Sequence, residues 1–167
     1  FANMFVNMIG SFLNAEEYQE TMSQLADGKS MFFLIVCMGI IAPLAEEIVF
    51  RWLIYLRLRD YMRSGEAIVI SGLFFGIYHG NLVQGVYASI LGCFFAYFLE
   101  QTGRLWTSVL LHMGANIWSL VLPELAAWLL DRYPMGIAVM LVLLLTGMCA
   151  GISYFRNRTD TEQRRII

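Results

Sequence analysis

Charge is scarce in this chain. Asp, Glu, Lys and Arg make up 14% of its 167 residues and leave a net charge of −2, where a soluble domain carries about 25% charged residues. Lys and Arg form no basic tract interleaved with aromatics, and no zinc-knuckle spacing is present, so a nucleic-acid partner is excluded. Cysteine is equally sparse: Cys37, Cys93 and Cys149 stand far apart in apolar runs without CxxC spacing, which reads as small apolar packing residues rather than a redox or metal motif. HExxH, GxSxG and an aspartate pair within an apolar run are all missing. Their absence argues against zinc-helix, serine and aspartyl proteolysis. There is no internal repeat and no low-complexity segment.

What the chain has in excess is apolar sequence, 59% of its residues against roughly 45–50% in a soluble domain. Apolar stretches recur at 31–56, 67–79, 82–99, 105–122 and 135–155, and about 20 apolar residues cross a bilayer as a helix. The fold class that follows is all-α, a polytopic transmembrane helical bundle with lipid as its solvent, read as a single membrane-embedded domain over 1–167 with its functional core at 31–122. Residues 1–13 read as the end of a helix whose start lies upstream, and lack the charged n-region and small-residue cleavage site of a signal peptide. Residues 14–30, with Glu16, Glu17, Glu20, Asp27 and Lys29, read as a polar stretch holding a short interfacial helix.

Three arginines, Arg57, Arg59 and Arg63, follow the apolar stretch at 31–56, and Arg156, Arg158, Arg164 and Arg165 lie in the tail. The positive-inside rule puts both groups on the cytoplasmic side, and four apolar segments between them return the chain to that side. The expected setting is a bacterial cytoplasmic membrane, with the site open towards the cytoplasm. Turns are expected at Gly80-Asn81 and 101–104, with the longest connection at 123–134 between Pro123 and Pro134. Gly72, Gly76, Gly80, Gly85, Ser89, Gly92 and Ala96 read as close-packing helix faces.

Against this background Glu46, Glu47 and Arg51 are anomalous, because ionisable groups at membrane depth are costly and point to function. Glu47 and Arg51 are four residues apart and share a helical face, which predicts an ion pair. Glu46 is rotated by about 100° from Glu47 and has no cation three or four residues away. A carboxylate neutralised by a guanidinium is a weaker base than one without a partner cation, so Glu46 is the candidate general base. Pro43 just upstream removes a backbone hydrogen bond and predicts a kink, tolerated where backbone lines a cavity.

The two histidines, His79 and His112, also sit in apolar runs, and Asn116 follows His112 by one helical turn. At about 1.5 Å per residue, Glu46 lies on the order of 16 Å from the arginines ending its helix, His79 about 20 Å from Glu66 and His112 about 12 Å from Arg104. Three helices thus bring polar groups to a similar depth. A carboxylate, two imidazoles and an amide are the groups that activate a water and stabilise an oxyanion in peptide hydrolysis.

These residues carry a family resemblance. Glu46-Glu47 with Arg51 resembles the EExxxR motif, Phe75 with His79 the FxxxH motif, and His112 with Asn116 the HxxxN motif of the CAAX-processing and bacteriocin-processing (CPBP, or Abi) intramembrane endopeptidases, in the family's order. The resemblance implies that Glu46 and His79 activate water, that His112 and Asn116 bind the oxyanion, and that Glu47 and Arg51 are supporting residues. It also implies a peptide or protein substrate at the membrane, prenylated in one branch and bacteriocin-related in others, with N-terminal helices preceding the core. No metal or other cofactor is the favoured expectation, because a zinc site built from Glu46, His79 and His112 would consume the base; a zinc metalloprotease with those three ligands is the alternative. Two other classes compete with an enzyme. A non-catalytic scaffold or bacteriocin self-immunity protein of the same fold would tolerate Glu46→Gln, and a transporter would show pH-driven uptake.

Overall fold

The computed structural model describes Glu20, Ser23, Gln24 and residues 27–133 and 136–164, without side chains for residues 137, 148, 152 and 154–164. The expected features at residues 1–13, most of the polar stretch at 14–30 and the side chains of the C-terminal arginines lie outside the described residues. Among those described there is no strand. Three helices, Met31–Arg59, Leu82–Thr102 and Leu105–Arg132, are long and apolar enough to cross a membrane.

The first of these, α1 (Met31–Arg59), starts at Ser30, whose hydroxyl accepts the Phe33 N–H at 3.2 Å and satisfies one of the orphan donors of the first turn. It is not a uniform α-helix. Its backbone widens to the π register over Ile35–Ile41, returns to α over Ala42–Glu47 and widens again over Ile48–Tyr55. The interruption expected at Pro43 is a change of hydrogen-bond register on either side of Ala42–Glu47, so the regular turn that carries Glu46 and Glu47 is flanked by irregular backbone.

Helices α2 (Ser64–Tyr78) and α3 (Leu82–Thr102) form a hairpin. Gly80 supplies the left-handed φ of +69° that the turn needs, and Asn81 caps α3 by accepting the Gln84 N–H at 3.1 Å. The glycine faces then let two backbones meet. A Cβ at Gly72 would run into Cys93 and the Ser89 carbonyl, one at Gly76 into Ser89 and the Gly85 carbonyl, and one at Gly92 would lie 3.0 Å from the Gly72 Cα. Lipid offers no hydrophobic penalty for separating helices, so this contact is what holds the hairpin. Of the expected small-residue faces, Gly80 belongs to the turn, and Ala96 packs with Tyr55, Ala67 and Leu99.

With 15 residues, α2 is about 22 Å long, short of the roughly 30 Å hydrocarbon core. Nevertheless the hairpin returns to its starting level. Glu100, near the end of α3, accepts from the Tyr55 hydroxyl at 2.6 Å and meets Arg59 at 2.7 Å, so the end of α1 and the end of α3 lie together. Gly103, with φ +63°, closes α3 by donating its N–H to the Leu99 carbonyl at 2.8 Å.

Helix α4 (Leu105–Arg132) corrects one expectation. It runs through Pro123, so residues 123–132 are helical and the connection is confined to the residues around Tyr133. One lost backbone bond within 28 helical residues does not stop a helix whose apolar pattern continues on both sides, as is usual for proline in a membrane helix. Helix α5 spans Gly136–Arg164, with its apolar part at Ala138–Gly151. By internal contacts the chain divides into one unit ending at Val121 and a second beginning at Leu122. Glu46, Glu47, Arg51, His79, His112 and Asn116 belong to the first. Of the cysteines, Cys93 packs against Gly72, Cys37 is half-buried, and Cys149 is exposed rather than packed.

Candidate active site

The ion pair predicted from the i,i+4 spacing is present and wholly buried: Arg51 Nε lies 3.0 Å from Glu47 Oε2, with neither side chain exposed. Such a pair is sustained only if its remaining polar atoms are used. Arg51 Nη2 donates to the Gly92 carbonyl of α3 at 3.1 Å. Its Nη1 has no hydrogen-bond partner, but the guanidinium lies 4.6 Å from the Phe75 ring centre and 5.5 Å from that of Phe95, where the ring faces attract a cation.

Glu47 also reaches beyond its own helix. Its Oε1 accepts from His112 Nδ1 at 2.9 Å, so one carboxylate links α1 to α4 while holding Arg51. Sequence spacing gives Glu47 only Arg51 as a partner; the second contact joins residues 65 apart. A carboxylate held by a guanidinium accepts rather than donates, so Nδ1 of His112 carries a proton and Nε2 is the working nitrogen. That Nε2 stands 3.5 Å from Glu46 Oε2, closer than charge separation requires and longer than a direct hydrogen bond. Glu46 keeps 17% of its side chain exposed while His112 keeps 5%. The more accessible carboxylate is the one with a free face.

His79 ends α2. Its Nδ1 donates to the Phe75 carbonyl at 2.8 Å; a carbonyl can only accept, so Nε2 is again the nitrogen left for chemistry. The Phe75 ring lies edge-on to both imidazoles, 4.8 Å from His79 and 5.4 Å from His112. Phe95 stacks on His112 at 4.8 Å and 23°. Phe75 thus wedges the two histidines and Phe95 fixes the plane of one of them. Phe95 carries no signal in the sequence, because an apolar residue in an apolar run looks the same whether it touches lipid or a buried imidazole.

Asn116 takes a partner the spacing does not reveal: its Nδ2 donates to the Met38 carbonyl in α1 at 2.9 Å. One amide N–H and the amide oxygen remain. Among the described residues no three His, Cys, Asp or Glu side chains gather at metal-holding distance; Nδ1 of each histidine is committed, and Nε2 is the nitrogen each has left.

Two curated relatives align with the chain. YdiL of Bacillus subtilis (strain 168), named as a candidate membrane peptidase, is 27% identical over 106 residues, covering 64% of this chain and 43% of that protein. Human CAAX prenyl protease 2 is 30% identical over 133 residues, covering 63% of this chain and 40% of that protein. The chain therefore spans less than half the length of either. No solved structure matches it significantly. With α1 to α4 apolar and long enough to include three spans, the chain is an integral membrane protein. The family model for Type II CAAX prenyl endopeptidase Rce1-like proteins matches residues 28–118, which contain the Glu46, His79, His112 and Asn116 cluster, and the chain belongs to that family.

Proposed function

We propose that this protein is an intramembrane endopeptidase that hydrolyses a peptide bond near the end of a membrane-associated, prenylated protein, using water activated by Glu46 and His79. The observation that carries this reading is the division of labour between two adjacent carboxylates. Glu47 is buried and committed to Arg51 and His112, whereas Glu46 is partly open and faces an imidazole nitrogen at 3.5 Å.

In the proposed reaction Glu46 takes a proton from water as the water oxygen bonds to the scissile carbonyl carbon. The bare Nε2 of His79 holds the same water by accepting its second proton in a hydrogen bond. The resulting oxyanion is met by His112 Nε2 and by the remaining N–H of Asn116. With Nδ1–H given to Glu47, His112 has a donor at Nε2 only when it carries both protons. Collapse of the tetrahedral intermediate breaks the C–N bond, and the proton held by Glu46 passes to the leaving amine. No step runs through a metal.

Family membership supports the substrate class, as does the name of the human relative. The reading also takes the arginine-rich side as cytoplasmic. Its test is cleavage by the purified protein in liposomes of a peptide ending in a prenylated Cys and three further residues, compared with the same peptide unprenylated. Release of the terminal tripeptide in the presence of strong chelator is expected. No cleavage of either peptide, or cleavage lost to chelator and restored by zinc alone, overturns it.

A further inference from the structure

The hydrogen bond from Asn116 to Met38 falls at a particular place in the backbone of α1. In the π register over Ile35–Ile41 each N–H serves the carbonyl five residues back, and the last bond of the run is Ala42 N–H to Cys37 O. The next N–H in that register is that of residue 43, and its acceptor is the Met38 carbonyl. Residue 43 is proline and has no N–H. The carbonyl it abandons is the one that receives Asn116 Nδ2 at 2.9 Å, inside a membrane span where no bulk water is at hand to compensate.

A second contact fixes the same joint. Gly39 lies against the next residue of α4: a Cβ there would come within 2.7 Å of Ile117 Cγ1, so α4 approaches α1 as closely as it does only because residue 39 has no side chain. Pro43 and Glu46 lie in the single α-helical turn between the two π stretches, Ala42–Glu47. The position of Glu46 is therefore set by how the chain enters that turn.

We infer that Asn116 is a positioning residue, whose side-chain amide replaces the backbone donor missing at Pro43 and so holds the turn that presents Glu46 to His112. The helix that carries His112 thereby also fixes, one turn later, the carboxylate that His112 faces. This role acts through the backbone of α1 and is separate from any contact of the remaining Asn116 N–H with substrate; its activity arm rests on the hydrolase reading above, its stability arm does not.

The experiment is a double-mutant cycle of Asn116→Ala and Pro43→Ala, read as kcat, KM and melting temperature of the purified protein in detergent. An alanine at 43 returns an N–H to the Met38 carbonyl. Asn116→Ala alone is expected to lower the melting temperature and to cut kcat, on the order of 10²-fold for a displaced base, with KM little changed. In the Pro43→Ala background the same substitution is expected to cause only a small part of that fall in melting temperature and a smaller factor in kcat, the remainder being the oxyanion contact that no change at residue 43 restores. Equal losses in the two backgrounds, in melting temperature and in kcat, overturn the inference and leave Asn116 with the oxyanion contact alone. If even the wild type cleaves no peptide, the hydrolase reading fails, while coupling in melting temperature still upholds the inference and additivity still overturns it. Should Pro43→Ala fail to fold, amide hydrogen exchange of Asn116→Ala and Asn116→Asp decides: faster exchange confined to residues 38–47 is expected, and exchange unchanged there overturns the inference.

Discussion

Among the described residues two glutamate–arginine pairs, each with a third partner, tie helices together, and they differ mainly in depth. Glu47 holds Arg51 and His112 with no exposed surface. Glu100 holds Arg59 and the Tyr55 hydroxyl at the end of α1 and α3, where Arg59 is 38% and Glu100 25% exposed. The same groups serve different ends. At the rim, water competes for every atom, and the pair brings helix ends to one level at little net gain. In the interior nothing replaces a lost partner, so the Glu47 carboxylate fixes both the charge balance of the site and the proton position on His112.

The largest effect that sharpens this contrast is expected from Glu47→Gln. It leaves Arg51 charged and buried, and breaking such a pair costs about 3–5 kcal/mol, so the melting temperature in detergent should fall steeply. A melting temperature close to wild type breaks the comparison. Replacing the pair together, Glu47→Gln with Arg51→Met, should recover part of that loss, because no uncompensated charge remains; a double variant no more stable than Glu47→Gln contradicts the assignment. Glu100→Gln should have a smaller effect than either. The Glu100→Gln loss should shrink further in high salt, which screens exposed charges far more than buried ones, and a Glu100→Gln loss as large as that of Glu47→Gln would remove the distinction between rim and interior.

Much of this was legible in the sequence because it depends on local helix geometry. The i,i+4 spacing of Glu47 and Arg51 is enough to predict their ion pair, and the 100° step separates Glu46 from it. The glycine faces of α2 and α3 and the turns at Gly80-Asn81 and Gly103 follow from residue type alone. Depth arithmetic brings Glu46 and His112 to one level. It does not say which imidazole nitrogen meets which carboxylate, because that is set by the rotation of α4 against α1, which the Gly39–Ile117 approach decides. For the same reason the Asn116–Met38 bond was out of reach. Its need, a carbonyl orphaned by Pro43, is visible in the sequence, but the register that orphans Met38 rather than Gly39 is not. Pro123 was misjudged because a proline in an apolar run looks like a break, whereas a membrane helix absorbs it.

The central claim is that adjacent carboxylates divide the work, Glu46 as base and Glu47 as the residue that holds His112 and Arg51. Its most direct test is the cleavage rate of Glu46→Gln beside that of Glu47→Gln, each measured with its melting temperature. The expected result is a Glu46→Gln protein as stable as wild type that cleaves about 10²–10⁴-fold more slowly, with Glu47→Gln losing stability together with activity. A Glu46→Gln protein that cleaves at the wild-type rate, alongside a Glu47→Gln protein that is stable and inactive, would contradict the account and reverse the two roles.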